Sequence, residues 1–279
     1  MCRLYGFRAN EPTKVECTLV LAQNALLVQS RADLRGKTHA DGWGIATYEN
    51  SVPHVERRET AAFETLHFGT AAERLFARTV VAHVRRATVS STGLLNTHPF
   101  VYGPWAFAHN GTVRGFHQVG PILERETPPE LLRTRRGSTD SELAFCWLLG
   151  RMEAAGISVL EPCSDSVQVA SVVQQAIRDL ADLGDRTGEE RPTELNFLLT
   201  DGRTMVAARW RNSLHWLVRE GVHDCEICGI PHLHHDEQTH YLAAVIASEP
   251  ITDENWQEVP DGAIVVVSPD LAVELLPPV

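Results

Sequence analysis

The sequence predicts a single α+β domain over residues 1–279, and three observations carry that reading. Segments with strand character stand at both ends of the chain, and helical segments stand between them. Asp201-Gly202, flanked by the strand-like runs Glu194–Thr200 and Thr204–Trp210, reads as a β-hairpin. No internal repeat or low-complexity linker divides the chain. Sheet packed on sheet with helices outside is one arrangement of such elements, and spacing alone does not select it.

The elements follow in order. Residues 2–8 (Cys-Arg-Leu-Tyr-Gly-Phe-Arg) read as a strand tied into a sheet from the start of the chain. Thr18 to Gln29 is apolar-rich and helical in character. Gly42 to Tyr48 reads as a strand entered through Asp41 and Gly42. Thr79 to Val84 is nearly all β-branched or small and apolar, as in a strand buried on both faces. Trp105 to Ala108 is a strand ending at His109-Asn110-Gly111, where Asn-Gly signals a turn. Pro121 to Gly137 is polar, Pro-containing and Arg-rich, and reads as an exposed excursion. Ser138 to Glu142 supplies cap candidates for a helix reaching about Met152, and Val167 to Leu183 is a second helix. Leu214–Val218, Tyr241–Ala247, Ala263–Val267 and Ala272–Leu276 read as strands.

Bulk properties narrow the partners. The chain has 25 basic and 36 acidic residues, a net charge of −11. A phosphate backbone repels such a surface, so nucleic acid is not an expected partner. No apolar run approaches the roughly 20 residues that span a bilayer, so no membrane is expected either. No basic stretch leads into an apolar core at the N-terminus, and a cytoplasmic location is the expectation. The six cysteines (Cys2, Cys17, Cys146, Cys163, Cys225, Cys228) are then expected as thiols or metal ligands rather than disulfides.

Cys2 holds the most suggestive position. Removal of Met1 would leave it with a thiol and a free α-amine, which titrates at about 7.7–8.0 when unperturbed. Such an amine can act as general base for its own side chain. Position alone also suits a small buried hydrophobe. Downstream stand Ala82-His83-Val84-Arg85-Arg86-Ala87-Thr88, Asn96-Thr97-His98-Pro99-Phe100, Ala108-His109-Asn110-Gly111 and Thr139-Asp140-Ser141-Glu142.

With the opening Met-Cys-Arg and with Ala40-Asp41-Gly42-Trp43-Gly44, these segments resemble the class II glutamine amidotransferases. The similarity is greatest to the stand-alone branch that includes proteins acting on γ-glutamyl compounds in ergothioneine synthesis and glutathione breakdown. It is carried by residues 1–145; residues 146–279 fit the length and add little. The resemblance implies the N-terminal-nucleophile fold, a four-layer αββα sandwich with two stacked antiparallel sheets. It implies Cys2 as nucleophile, and the Asn110 side-chain amide and Gly111 N–H as oxyanion hole. It assigns Arg85 to the substrate α-carboxylate, Asp140 to the α-ammonium and Thr88 to the same glutamyl headgroup. The chemistry agrees: one preorganised oxyanion donor is worth roughly 3 kcal/mol, and an Arg fork suits a carboxylate in a way Lys does not. Bland readings stand beside these. Arg86 could replace Arg85, since strand alternation lets only one face a pocket. Asp140 could be a helix cap, Asn110-Gly111 a turn, and Trp43 core or pocket wall. His39, His83, His98 and His109 are expected as structural hydrogen-bonders.

A second cluster lies apart. Asp224-Cys225-Glu226-Ile227-Cys228 precedes His232, His234, His235, Asp236 and His240. Cys225, Cys228, His232 and His234 have the ligand types of a structural zinc site, in a loop spanning 220–240. A metal-free reduced loop is the alternative, and the chemistry at Cys2 needs no metal.

The functional expectation is cysteine-dependent hydrolysis of the amide of glutamine or a γ-glutamyl compound, through a thioester. The partner would be a small γ-glutamyl amide, with a homo-oligomer or a synthase as protein partners. One rival is a glutaminase subunit passing ammonia to that synthase. Another is a non-catalytic binding module that retains Met1.

Overall fold

The computed structural model of the protein describes residues 2–88, 91–222, 224–233 and 240–278. In chain order its elements are β1 (Arg3–Lys14), α1 (Leu26–Arg31), β2 (Trp43–Glu49), β3 (Val52–Arg58), α2 (His67–Arg74), β4 (Phe76–Val84), β5 (Phe100–Tyr102), β6 (Trp105–Thr112), α3 (Phe116–Glu126), α4 (Pro129–Leu132), α5 (Asp140–Ala154), α6 (Ser166–Asp185), β7 (Glu194–Thr200), β8 (Met205–Ala208), β9 (His215–Glu220), β10 (Leu242–Ala247), β11 (Gln257–Glu258), β12 (Ile264–Val267) and β13 (Val273–Leu276). Seven strands form one sheet in the order β11-β9-β10-β1-β4-β2-β3, and six form a second in the order β13-β12-β8-β7-β6-β5. The pairings are antiparallel throughout.

Strand periodicity assigns each side chain to a layer. Along β1, Tyr5, Phe7 and Ala9 join a core that includes Leu19, Leu26 and Phe68 on the helical side. Leu4 turns the other way, into a core shared with Ala106, Ala108, Leu198 and Val265 of the second sheet. The sheets therefore stack face to face. Ala46, Ala106, Ala108, Ala207 and Ala244 let them approach closely, and a Cβ on Gly6 would meet Leu198 and Met205 at 3.0 Å. The outer face of the second sheet carries Phe107, Phe197 and Leu199, packed under α3, α5 and α6. The result is helix, sheet, sheet, helix. Among the described residues no helix is long and apolar enough to cross a membrane.

Three expectations are corrected. The helix over Thr18–Gln29 is broken: a π-helical turn covers Cys17–Leu21, and α1 begins only at Leu26. The excursion over Pro121–Gly137 contains α3 and α4, because Val119, Leu123 and Leu131 are buried in the helical core. Helix α3 accommodates Pro121, which forgoes one backbone bond. Asn110-Gly111 is no turn; β6 runs through it to Thr112, with Gly111 opposite Leu195 of β7.

Candidate active site

Cys2 is buried at the head of β1, and alternation from Leu4 aims it into the space between the sheets. Asn110 follows Ala106 and Ala108 on the inward face of β6 and approaches that space from the opposite sheet. Ser248 joins them. Its Oγ accepts from the Leu4 N–H at 3.0 Å and from Asn110 Nδ2 at 3.2 Å. The Asn110 carbonyl oxygen accepts from Asn212 Nδ2 at 3.0 Å, so the residue is held at backbone and side chain. One Nδ2 hydrogen remains to be offered, since an amide nitrogen carries two.

The Cys2 thiol meets the chain just beyond β4. It accepts from the Arg86 N–H at 3.3 Å and donates to the Arg86 carbonyl at 3.5 Å. Burial pushes its pKa up, against the Arg86 backbone contact and the charge of Arg85, while Asp140 adds to the rise. Cys2 thus rests as a thiol that needs a base, and Arg85 and Asp140 both lie within electrostatic reach of it.

Arg85 continues the inward face of β4 set by Val81 and His83 and is buried, whereas the Arg86 side chain is half-buried. The Arg85 guanidinium donates to the carbonyls of Ser91 at 3.2 Å and Asp41 at 3.5 Å. The Asp-Gly-Trp-Gly segment fixes this corner: Asp41 Oδ2 accepts from the Ala87 N–H at 2.8 Å, and the Arg85 N–H donates to the Gly42 carbonyl at 2.7 Å. Gly42 has φ +117, and a Cβ there would meet the Arg58 carbonyl at 2.8 Å. Thr88 Oγ1 lies 3.0 Å from Thr112 Oγ1, at the end of β6.

Asp140 is not the cap of α5. Thr139 is, accepting from the Glu142 N–H at 3.0 Å. The Asp140 carboxylate is buried and accepts from the N–H groups of Val113 and Ser141, both at 2.9 Å. Ser141 Oγ lies 2.9 Å from His109 Nδ1 on the helical side of β6. His39, His83 and His109 each have a ring nitrogen within hydrogen-bond distance of a partner, Asp33, the His109 carbonyl and Ser141 respectively, whereas both ring nitrogens of His98 lack a partner among the described residues. His83 and His98 stack with ring centroids 4.2 Å apart, and burial pushes His83 down to about 3. His39 meets Asp33 in a buried ionic group with Arg3 and Glu249. Trp43 is core, edge-on to Phe68.

Sequence reasoning missed two participants. Ser248 is 138 residues from Asn110, and nothing in its local pattern marks it. Cys17 joins the second cluster: Cys17, Cys225, Cys228 and His232 hold their ligand atoms within 4.8 Å of one another. His234, expected there, lies outside the described residues, as do His235 and Asp236.

Comparison with known proteins matches this arrangement to one family. The family model of the class II glutamine amidotransferases matches residues 1–275. The putative glutamine amidotransferase YafJ of Escherichia coli is 32% identical over 94% of this chain and 95% of its own. A γ-glutamyl-hercynylcysteine sulfoxide hydrolase of Mycobacterium tuberculosis is 26% identical over 96% of this chain and 93% of its own. The crystal structure of a predicted glutamine amidotransferase from Pseudomonas aeruginosa superposes with a TM-score of 0.63 at 26% identity, covering 99% of this chain and 100% of that one.

Proposed function

The chain belongs to the class II glutamine amidotransferases, and from that premise we propose that it hydrolyses the amide of glutamine or a γ-glutamyl compound through a γ-glutamyl thioester on Cys2. One observation carries the mechanism: Cys2 and Asn110 enter the same inter-sheet space from opposite sheets, and Ser248 Oγ bonds Asn110 to the Leu4 N–H, two residues beyond Cys2. The γ-glutamyl hydrolase among the relatives supports a substrate with that headgroup.

In this reading the active form has lost Met1, and the Cys2 α-amine takes the proton of the buried thiol. The thiolate attacks the δ-carbonyl carbon. The oxyanion accepts from the second Nδ2 hydrogen of Asn110 and from the Gly111 N–H. As the intermediate collapses the C–N bond breaks, and the α-ammonium returns its proton to the leaving amine. Water, deprotonated by the same amine, then attacks the thioester and releases the γ-carboxylate and the thiol. Arg85 and Asp140, which both act on the Cys2 thiol, have opposite signs. Arg85 is assigned to the substrate α-carboxylate and Asp140 to the α-ammonium, with Thr88 at the same headgroup. Water closes the cycle, so the scheme requires no synthase.

The test uses one batch of protein in which intact mass shows Met1 removed. Glutamine and larger γ-glutamyl amides are supplied, and the release of glutamate is followed. The expected result is release from at least one of them, abolished in Cys2→Ala, with a glutamine-analogue electrophile adding to Cys2 alone. Equal labelling of Cys2→Ala would remove Cys2 as nucleophile. Turnover only in the presence of a synthase would make the chain an ammonia-delivering subunit instead.

A further inference from the structure

The Cys17 cluster lies well away from the chemistry at Cys2. It sits beside Tyr241 at the start of β10, whereas Leu4, two residues from Cys2, pairs with Ser248 at the other end. Seven residues of extended chain separate those ends, roughly 20 Å. Cys17 opens the π-helical turn after β1, while Cys225, Cys228 and His232 lie on the connection from β9 to β10. Two segments more than 200 residues apart thus bring four soft or borderline donors to one point. Cys228 Sγ is 3.3 Å from His232 Nε2. Tetrahedral zinc holds sulfur at about 2.3 Å and nitrogen at about 2.0–2.1 Å, which places its ligand atoms about 3.5–3.8 Å apart.

The turn that presents the thiols is built for the purpose. The Ile227 N–H donates to Cys225 Sγ at 3.4 Å. The Gly229 N–H donates to the Cys225 carbonyl at 2.7 Å with φ +73, folding Cys-x-x-Cys-Gly back on itself. His232 is anchored from the opposite segment, its carbonyl accepting from the Lys14 N–H at 2.7 Å. A redox pair would need only Cys225 and Cys228; the convergence of Cys17 and His232 on them is what a cation requires. Three thiols and an imidazole favour zinc over magnesium or calcium, which take oxygen ligands.

We propose that Cys17, Cys225, Cys228 and His232 bind one Zn²⁺ in a closed structural site that staples the β9–β10 connection to the segment following β1. Four protein ligands leave no open position for water or substrate, so the ion does not act on the amide. Binding converts three thiols to thiolates and releases up to three protons to solvent. The staple closes one side of a cavity of about 620 Å³, lined by Cys17, Cys225 and His232 with Arg219, Tyr241 and Glu254.

The experiment strips the reduced full-length protein of metal and titrates it with Co²⁺, then Zn²⁺. The expected result is thiolate-to-cobalt charge transfer and the intense visible bands of tetrahedral Co²⁺. These should saturate at one equivalent and be bleached by one equivalent of Zn²⁺. Melting should shift up by several degrees with Zn²⁺ and back with a chelator. The exposed Cys228→Ser and the buried Cys17→Ser should each weaken Zn²⁺ binding by at least about 100-fold. The wild-type titration stands whether or not Cys17→Ser folds. No cobalt uptake, a weak octahedral spectrum, or unchanged binding in Cys228→Ser would overturn the proposal. So would a Cys225–Cys228 disulfide formed with no loss of metal affinity.

Discussion

Asn110 carries a residue-scale consequence that separates catalysis from folding. Its backbone carbonyl is held by Asn212 and its side chain by Ser248, both bonds buried. Asn110→Ala is expected to lower kcat about 10²–10³-fold with a much smaller change in KM, because the donor acts on the developing oxyanion. Steady-state kinetics on the processed enzyme checks it, and a change confined to KM would remove Asn110 from that role. Cys2 carries the second. Its thiol is raised by burial, so the reaction waits on a base. If that base is the α-amine, kcat/KM rises with pH as the amine loses its proton. The apparent midpoint belongs to the coupled amine–thiol pair. A rate that stays flat from pH 6 to pH 9 would exclude the amine.

Gly111 sets the corresponding expectation at the level of elements. A Cβ there would meet the Glu194 carbonyl at 1.8 Å and His109 Nε2 at 2.5 Å, so β6 and β7 pair only around a glycine. Gly111→Ala should destabilise by about 1–3 kcal/mol or more and displace Asn110 with the strand, read as a lower urea midpoint and lost activity. The sequence marks Asn110-Gly111 as a turn because both residues tolerate positive φ, yet the glycine is needed here for closeness within a strand. The same limit runs through the other elements. The strands at Thr79–Val84, Glu194–Thr200 and Ala263–Val267 were readable because they are buried and β-rich over several residues. Helix α3 was not, because Pro121 outweighs Val119 and Leu123, whose burial depends on packing against the rest of the helical layer. At the site, local segments pointed to Arg85, Asn110 and Asp140. Ser248 and Cys17 could be found only by folding, since each works through a residue more than 100 positions away.

Burial both between the sheets and beneath the helical layers puts histidines in places without water, and this gives the whole molecule a pH dependence. His83 and His39 are fully buried, and burial is the first cause that lowers them, to about 3 and about 4. Arg85 lowers His83 further, and Arg3 does the same to His39. His98 and His109 are lowered by burial too. An unfolded histidine titrates near 6.5, so below that value the unfolded chain binds protons that the folded chain refuses. Stability therefore rises with pH across this window, and it falls as pH drops from 7 toward the folded values. At pH 5 the loss is about 2 kcal/mol for each of His39 and His83, from about 1.4 kcal/mol per pH unit below 6.5. Asp33 and Glu254 are held low by their Arg3 and Arg219 neighbours and by hydrogen bonds, despite burial that opposes both shifts. They stay ionised at pH 5 and add nothing to the fall, whereas Asp201, raised by burial, acts in the opposite direction to the histidines. Urea unfolding at pH 7 and pH 5 tests this: the midpoint should fall, and His39→Gln should remove part of the fall. A midpoint unchanged between the two pH values would mean that the buried rings are solvated or already charged in the native state. The inter-sheet space at Cys2 would then be wetter than its packing indicates.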